Sequence, residues 1–216
     1  MNTTLLFPKA HIYIFQNSDS PNHPQLKNVI NFLKWKTLKQ IVKFDHVSEN
    51  GNLIEELSVH DNLTLESKEF CRYRRIPKDL NKTLVQNIGE SILPLLDEFP
   101  NWDTPIHQLN SQQRKLASII KSLNLAHPFV ILEKPEKHLS ESVVESLKVV
   151  FNEVTQDKAS ELIFSNTNEL GIWSDLFTKK VTYAKNKLFV IDDFKAPYLN
   201  NEELSNYDQD DDKLAA

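Results

Sequence analysis

Three stretches of this sequence hold polar residue types dense enough to do chemistry. Gln16-Asn17-Ser18-Asp19-Ser20-Pro21-Asn22-His23-Pro24 lies between a strand-like run and a helix-like one. Leu109-Asn110-Ser111-Gln112-Gln113-Arg114 opens a helical pattern, and Val130-Ile131-Leu132-Glu133-Lys134-Pro135 ends an apolar run on an acid and a base. The chemistry open to them is narrow. A helix N-terminus keeps a partial positive charge, but the two prolines of the first loop remove N–H donors and Asp19 repels phosphate. Lys134 can act as a general base only if its pKa falls by several units. The seven histidines show no metal-ligand spacing and the single Cys71 cannot anchor a zinc site, so no metal is expected. Arg72-Tyr73-Arg74-Arg75 is a small basic cluster. It reads as a solvated helix end, with contact to an acidic partner or lipid headgroups as the alternative.

The elements that must position these residues follow from periodicity. His11–Phe15 is β-rich, Gln25–Lys34 is amphipathic at helical spacing, and Lys39–Phe44 is a second strand followed by a turn at Ser48–Asn52. Strand, loop, helix, strand is the opening of a parallel α/β unit. Helical patterning dominates 66–99, notably over Asn81–Glu98 with apolar positions 84, 85, 88, 92, 93, 95 and 96. Gln112–Leu125 is another helix, capped by Asn110 or Ser111. Phe129–Leu132 is the continuous apolar run of a strand buried on both faces. Ser140–Glu153 is a helix with a Ser cap and Glu141 in its first turn. Glu161–Ser165 is a further buried strand, and Lys180–Tyr183 with Leu188–Ile191 reads as a closing hairpin.

Composition sets the outer limits. A chain of 216 residues with 40% hydrophobic content suits one domain, or one domain with a subdomain. A net charge of −5 gives no basic footprint for nucleic acid. No run of about 18 apolar residues predicts a membrane span. The opening MNTTLLFPKAHIYIF is too short in apolar residues, and lacks the basic leader, for a secretory signal. With one cysteine, these features suit a reducing cytoplasm. Glycine is the outlier: Gly51, Gly89 and Gly171 are the only three, against roughly 7% in ordinary chains. A loop that needs several glycines to cradle phosphate is nearly excluded. Residues 196–216 form an acidic tail expected to be disordered, and 213–216 has the look of a vector scar.

The segment from Leu109 to Ser140, LNSQQRKLASIIKSLNLAHPFVILEKPEKHLS, resembles the ABC (ATP-binding cassette) ATPase pattern. There LSGGQRQRVAIARAL is followed by a proline, four apolar residues and DEPTSALD. The apolar frame and the proline are shared, whereas most of the ATP-handling polar residues are not. Landmarks in the family's order extend the resemblance over about residues 10–192. It implies an α/β, P-loop NTPase-like fold: a mostly parallel sheet flanked by helices, with a helical subdomain and a reduced N-terminal β lobe. The core would be 1–64 with 105–195, and the helical insert 65–104. In the family the β lobe carries an aromatic residue that stacks on adenine.

Residue by residue, the resemblance implies lost chemistry. At the P-loop position, Gln16, Asp19 and Pro21 stand where glycines belong, Asn22 replaces the lysine, and His23 the magnesium-binding hydroxyl. Glu49 occupies the Q-loop glutamine position, and the following Leu57-Ser58-Val59-His60-Asp61-Asn62-Leu63 is similar to the family's stretch there. As plain sequence that stretch is a helix start with Ser58 as cap. In the signature segment Leu109 and Gln113 persist, while Asn110, Ser111 and Gln112 replace the Ser and two Gly that would close on a partner's ATP. Glu133 stands for the magnesium-coordinating Asp, and Lys134 for the glutamate that polarises attacking water. Ser140 replaces the D-loop Asp, and Asn166 the switch histidine.

The expectation is therefore a pseudo-ATPase, with no ATP or magnesium bound and no catalytic residue, serving as a structural or regulatory subunit. The resemblance implies a cytoplasmic protein, peripheral at a membrane through a permease that would dock around Glu49–Leu63 and the helices of 66–99. A homodimer, or a heterodimer with an active ATPase subunit, is the other implied partnership. The alternative is a divergent nucleotide-binding protein or weak ATPase using Glu133. A third reading is a partner-binding domain unrelated to transport.

Overall fold

The computed structural model describes residues 12–15, 31, 43–65, 79–157, 161–165, 170–173, 175–176, 179–184 and 187–191. The polar loop 16–24, most of the helix read at 25–34, Cys71, the cluster 72–75, Asn166 and the tail 196–216 lie outside them. In chain order come β1 (Ile12–Phe15), β2 (Phe44–Val47), α1 (Val59–Thr64) and α2 (Leu80–Asn87). A 3-10 turn at Glu90–Ile92 runs into α3 (Leu93–Leu96), and another at Ile106–Gln108 precedes α4 (Ser111–Asn124). Then follow β3 (Phe129–Glu133), α5 (Glu141–Asp157), β4 (Glu161–Ser165), α6 (Leu170–Trp173), β5 (Lys179–Ala184) and β6 (Lys187–Ile191).

The strands form one sheet in the order β2-β3-β4-β1-β5-β6. All neighbours are parallel except the β5–β6 hairpin at one edge. The α/β architecture read from the sequence is thus the observed one. Val130, Ile131 and Leu132 on β3, like Leu162, Ile163 and Phe164 on β4, are at most 1% exposed, as central parallel strands require. Register decides where function can sit. Val47 lies opposite Leu132, Glu133 opposite Ser165, and Phe15 opposite Ser165, so β2, β3, β4 and β1 end together. In open parallel sheets this carboxyl edge is where ligand-binding loops gather.

One element differs from the sequence expectation. The second strand runs over Phe44–Val47; of the expected Lys39–Phe44, Phe44 is strand, Lys43 is not, and 39–42 lie outside the described residues. Among the described residues β2 is an edge strand with a single neighbour. It tolerates the half-buried Asp45 and His46 that hide the strand from an apolar pattern. The helical pattern read over Asn81–Glu98 is interrupted after Asn87. Gly89 adopts φ +133°, a conformation nearly closed to other residues, and restarts the chain as a 3-10 turn. Glu153 of α5 occupies the space beside that glycine and accepts the Ser91 N–H at 3.1 Å.

The remaining segments pack onto one core. Leu84, Ile88, Ile92 and Leu95 of the helical insert join Leu116, Ile119 and Ile120 of α4 and Leu147, Val150 and Phe151 of α5. Each fully buried aliphatic side chain contributes roughly 1.5–3 kcal/mol. Phe151, Phe164 and Trp173 cluster with ring centroids 5.2 to 5.7 Å apart, closing α5 and α6 over the sheet. Polar staples set the approach of α1. The fully buried Asn62 accepts from Ile54 N and donates to Ile54 O and Ser58 O, and Asn124 donates to Leu63 O. Ser58 caps α1 by accepting the Asp61 N–H at 3.0 Å, as its sequence position predicts.

Gly89→Ala combines an unfavourable φ with a methyl group aimed at the Glu153 carboxylate. It should lower unfolding free energy by about 1–3 kcal/mol, read as a reduced urea midpoint at unchanged slope. Wild-type stability in this variant would mean that the break does not depend on glycine.

Candidate functional site

The loops at the carboxyl edge of β2 and β3 build the site. After β2 the chain turns at once: Gly51 N–H returns to Ser48 O at 3.0 Å and Ser48 Oγ donates to Gly51 O at 2.9 Å. Gly51 has φ +84°, and a side chain there would run into Ser118 of α4. This turn presents Glu49. After β3, Lys134 takes the left-handed conformation at φ +44°, its N–H bonded to Ser165 O at 2.9 Å. The loop folds back through Lys137 N–H to Lys134 O at 3.0 Å, and His138 is left-handed too at φ +68°.

These turns bring three of the expected site residues together. The Glu49 carboxylate pairs with Lys134 Nζ through Oε2 at 3.1 Å and with Lys137 Nζ through Oε1. Hydrogen bonds from Lys137 first, then Lys134, hold its pKa below the usual value. Glu133 Oε2 accepts the Glu49 N–H at 3.3 Å and lies 3.7 Å from His46 Nε2. The residue that stands for the family's magnesium-coordinating Asp is thus tied into main chain and a neighbouring imidazole. Among the described residues no group of three or more His, Cys, Asp or Glu is placed to hold a metal ion.

Lys115 holds this arrangement from beneath. Although 2% exposed, its ammonium donates to Ser48 O and Glu49 O at 3.2 Å each and to Glu133 O at 2.8 Å. Burial pushes its pKa down to about 8, offset in part by the charges of Glu133, Glu136 and Glu49. Sequence reasoning missed it. The available signal was its phase on α4, one turn before Ile119 and two before Leu123, where a core residue belongs.

The signature segment is a self-capped helix start. Asn110 Oδ1 accepts the Gln113 N–H at 2.8 Å and Gln113 Oε1 accepts the Asn110 N–H at 3.1 Å, a capping box. Of the two caps expected, Asn110 is the one used. Gln113 also donates to Glu98 O at 2.7 Å. Gln112 donates to Glu98 Oε2 at 2.9 Å and accepts the Ser140 N–H at 2.8 Å, a strut from the helical insert to the start of α5. Leu109 is core, and Ser111 is exposed. Arg114 ties the segment back to Leu109 O at 3.0 Å, His107 O at 2.9 Å and Glu55 at 3.4 Å. The other expected positions, Gln16, Asp19, Pro21, Asn22, His23 and Asn166, fall outside the described residues.

No protein-family model and no curated protein matches this sequence. Solved structures do match it. A dimeric ATP-binding cassette in a post-hydrolysis state bound to ADP and Pi aligns with TM-score 0.60 at 14% identity, covering 85% of this chain and 85% of that one. The chain has the fold of an ABC ATP-binding cassette. A nucleotide-free cassette from an ABC transporter aligns at TM-score 0.56 and 13% identity, over 96% of this chain and 88% of that one. An inward-facing ABC transporter aligns at TM-score 0.57 and 14% identity, over 86% and 73%. On this cassette fold the β3–α5 loop carries Lys134, and the Gln112–Glu98 strut joins the helical insert to the core. No helix among the described residues is long and apolar enough to cross a membrane.

The Lys115 ammonium gives a prediction with a definite sign. Its folded pKa of about 8 lies below the ordinary lysine value of 10.5, so the unfolded chain binds more protons between those limits. Stability contributed by this residue therefore rises with pH across that window. The unfolding free energy of wild type minus that of Lys115→Met should increase by on the order of 3 kcal/mol from pH 8 to 10.5, measured by urea denaturation at each pH. A flat difference would show that the buried lysine has an ordinary pKa.

Proposed function

We propose that this chain is a pseudo-ATPase, a binding subunit that uses the cassette fold without competent ATP binding or hydrolysis. The observation that carries the reading is Lys134. It stands where the resemblance places the water-polarising glutamate, and its ammonium is engaged by Glu49 at 3.1 Å. A protonated amine cannot accept a proton from water, and phosphoryl transfer depends on positioned charge of the right sign. Supporting it, Glu133 is committed to the Glu49 N–H, and both signature glutamines are committed to Glu98. Gln112 fills the helix start with protein hydrogen bonds where a phosphate would have to approach.

What the fold still offers is surface. The Ser48–Asn52 turn and the segment leading into α1 form one face, held by Lys115 on Ser48 O and Glu49 O and by Asn62 on Ile54 O. In cassettes as the resemblance describes them, this is the face that receives a permease. The proposed partner is such a membrane subunit, with a second cassette as an alternative companion.

Calorimetric titration with millimolar Mg-ATP should give no saturable heat, and Lys134→Glu should release no phosphate above background, because the remaining landmarks are altered as well. Tight, magnesium-dependent binding, or turnover restored by that single substitution, would overturn the pseudo-ATPase reading in favour of a divergent nucleotide-binding protein. Co-purification with a permease from native membranes, lost on charge reversal at Glu55 and Glu56, tests the partner.

A further inference from the structure

A groove of about 750 Å3 opens beside the β3–α5 loop, lined by Glu49, Lys134, Lys137, Val144, Lys148 and Ile172 among others. Lys134 and Lys137 are three residues apart on one loop, and they grip opposite oxygens of the same carboxylate. That is the geometry of a two-point anion clamp. The clamp is preformed: Lys134 N–H is fixed on Ser165 O at 2.9 Å and Lys137 N–H on Lys134 O at 3.0 Å. Lys134 holds a left-handed backbone at φ +44°, a conformation that persists only where surrounding structure imposes it.

The carboxylate now in the clamp is replaceable. The side chains of Glu49, Lys134 and Lys137 are 31%, 27% and 32% exposed, so the pairs are wet and contribute little net stability. Main-chain bonds to Lys115 and Glu133 anchor the Glu49 backbone, so only its side chain must swing out. The groove lining carries four carboxylates against three lysines, so a ligand richer in negative charge than Glu49 is favoured only at the clamp itself. Two ammonium groups face one carboxylate, which leaves one positive charge over. Of the other groove charges, Lys148 pairs with Glu145 and Asp175, Glu136 accepts from Trp173 Nε1, and Glu141 is exposed to solvent.

We propose that Lys134 and Lys137 form a latched site for a phosphate dianion, free or carried as a phosphomonoester, with Glu49 as the internal ligand that the dianion displaces. The site needs neither magnesium nor the positions matched to the nucleotide motifs at 16–24. It therefore stands or falls separately from the pseudo-ATPase reading.

The test is titration with inorganic phosphate and with O-phosphoserine, in EDTA at pH 7.5, followed by calorimetry and by phosphorus NMR line width. Glu49→Gln should bind at least one of the two at least tenfold more tightly than wild type. Preference for O-phosphoserine assigns a phosphomonoester, and equal binding assigns free phosphate. Adding Lys134→Gln and Lys137→Gln to that variant should abolish binding. Glu49→Ala repeats the measurement with a different side chain, and circular dichroism confirms folding of each variant. No gain of affinity in either Glu49 variant, or binding that survives loss of both lysines, would overturn the proposal.

Discussion

A single buried ammonium organises the functional edge of this protein. Lys115 reaches from α4 to three main-chain carbonyls, two on the turn after β2 and one at the end of β3. Main-chain carbonyls are partial charges, so the ammonium leaves water without a carboxylate in direct contact. Its lowered pKa is the cost of that choice. What the fold gains is registration. The two loops that carry Glu49 and Lys134 are fixed against each other from below, and their ion pair above follows from that. Truncating the side chain would leave three carbonyls short of a donor at the point where the sheet meets its loops.

The signature helix shows the same replacement of ligand contacts by internal ones. A helix N-terminus has free N–H groups and a positive field, which is why anions bind there. In this chain Asn110 and Gln113 satisfy those donors reciprocally, and Gln112 spans from Glu98 to Ser140. Long amides in place of small residues fill the space and convert an opening into a joint. The joint links the helical insert to the core at two Glu98 contacts, so the insert is held by polar geometry as well as by Leu84, Ile88 and Ile92.

Much of the frame was legible because burial and periodicity agree. β3, β4, α4 and α5 are all long, strongly patterned elements, and the caps at Ser58 and Asn110 have sequence signatures. The misreadings occurred where tertiary context overrides pattern. β2 lies at a sheet edge and carries Asp45 and His46, so no apolar alternation marks it. The break at Gly89 depends on Glu153, distant in sequence. At the site, aligning motifs located Glu49, Glu133, Lys134 and Gln112 but not their partners. Lys115, Lys137, His46 and Glu98 match no motif, and their roles come from loops that meet only in the folded chain. Lys115 alone left a trace, as a charge in a core phase of α4.

Glycine scarcity takes on a sharper meaning from the backbone. Gly51 and Gly89 both sit at positive φ, and both mark turns of the framework. Yet Ala126, Lys134 and His138 are also left-handed, at φ +48°, +44° and +68°, without being glycine. Such conformations cost an L-residue roughly 1–2 kcal/mol each, and they persist here because bonds such as Lys134 N–H to Ser165 O fix them. The chain can therefore form sharp loops with few glycines. What side chains at those positions do prevent is close approach of a ligand to bare backbone, the feature on which a phosphate cradle rests. A loop shaped by Lys134 and His138 presents side-chain cations and imidazole instead. Any anion that binds it must be recognised by those groups, at the distance their side chains set.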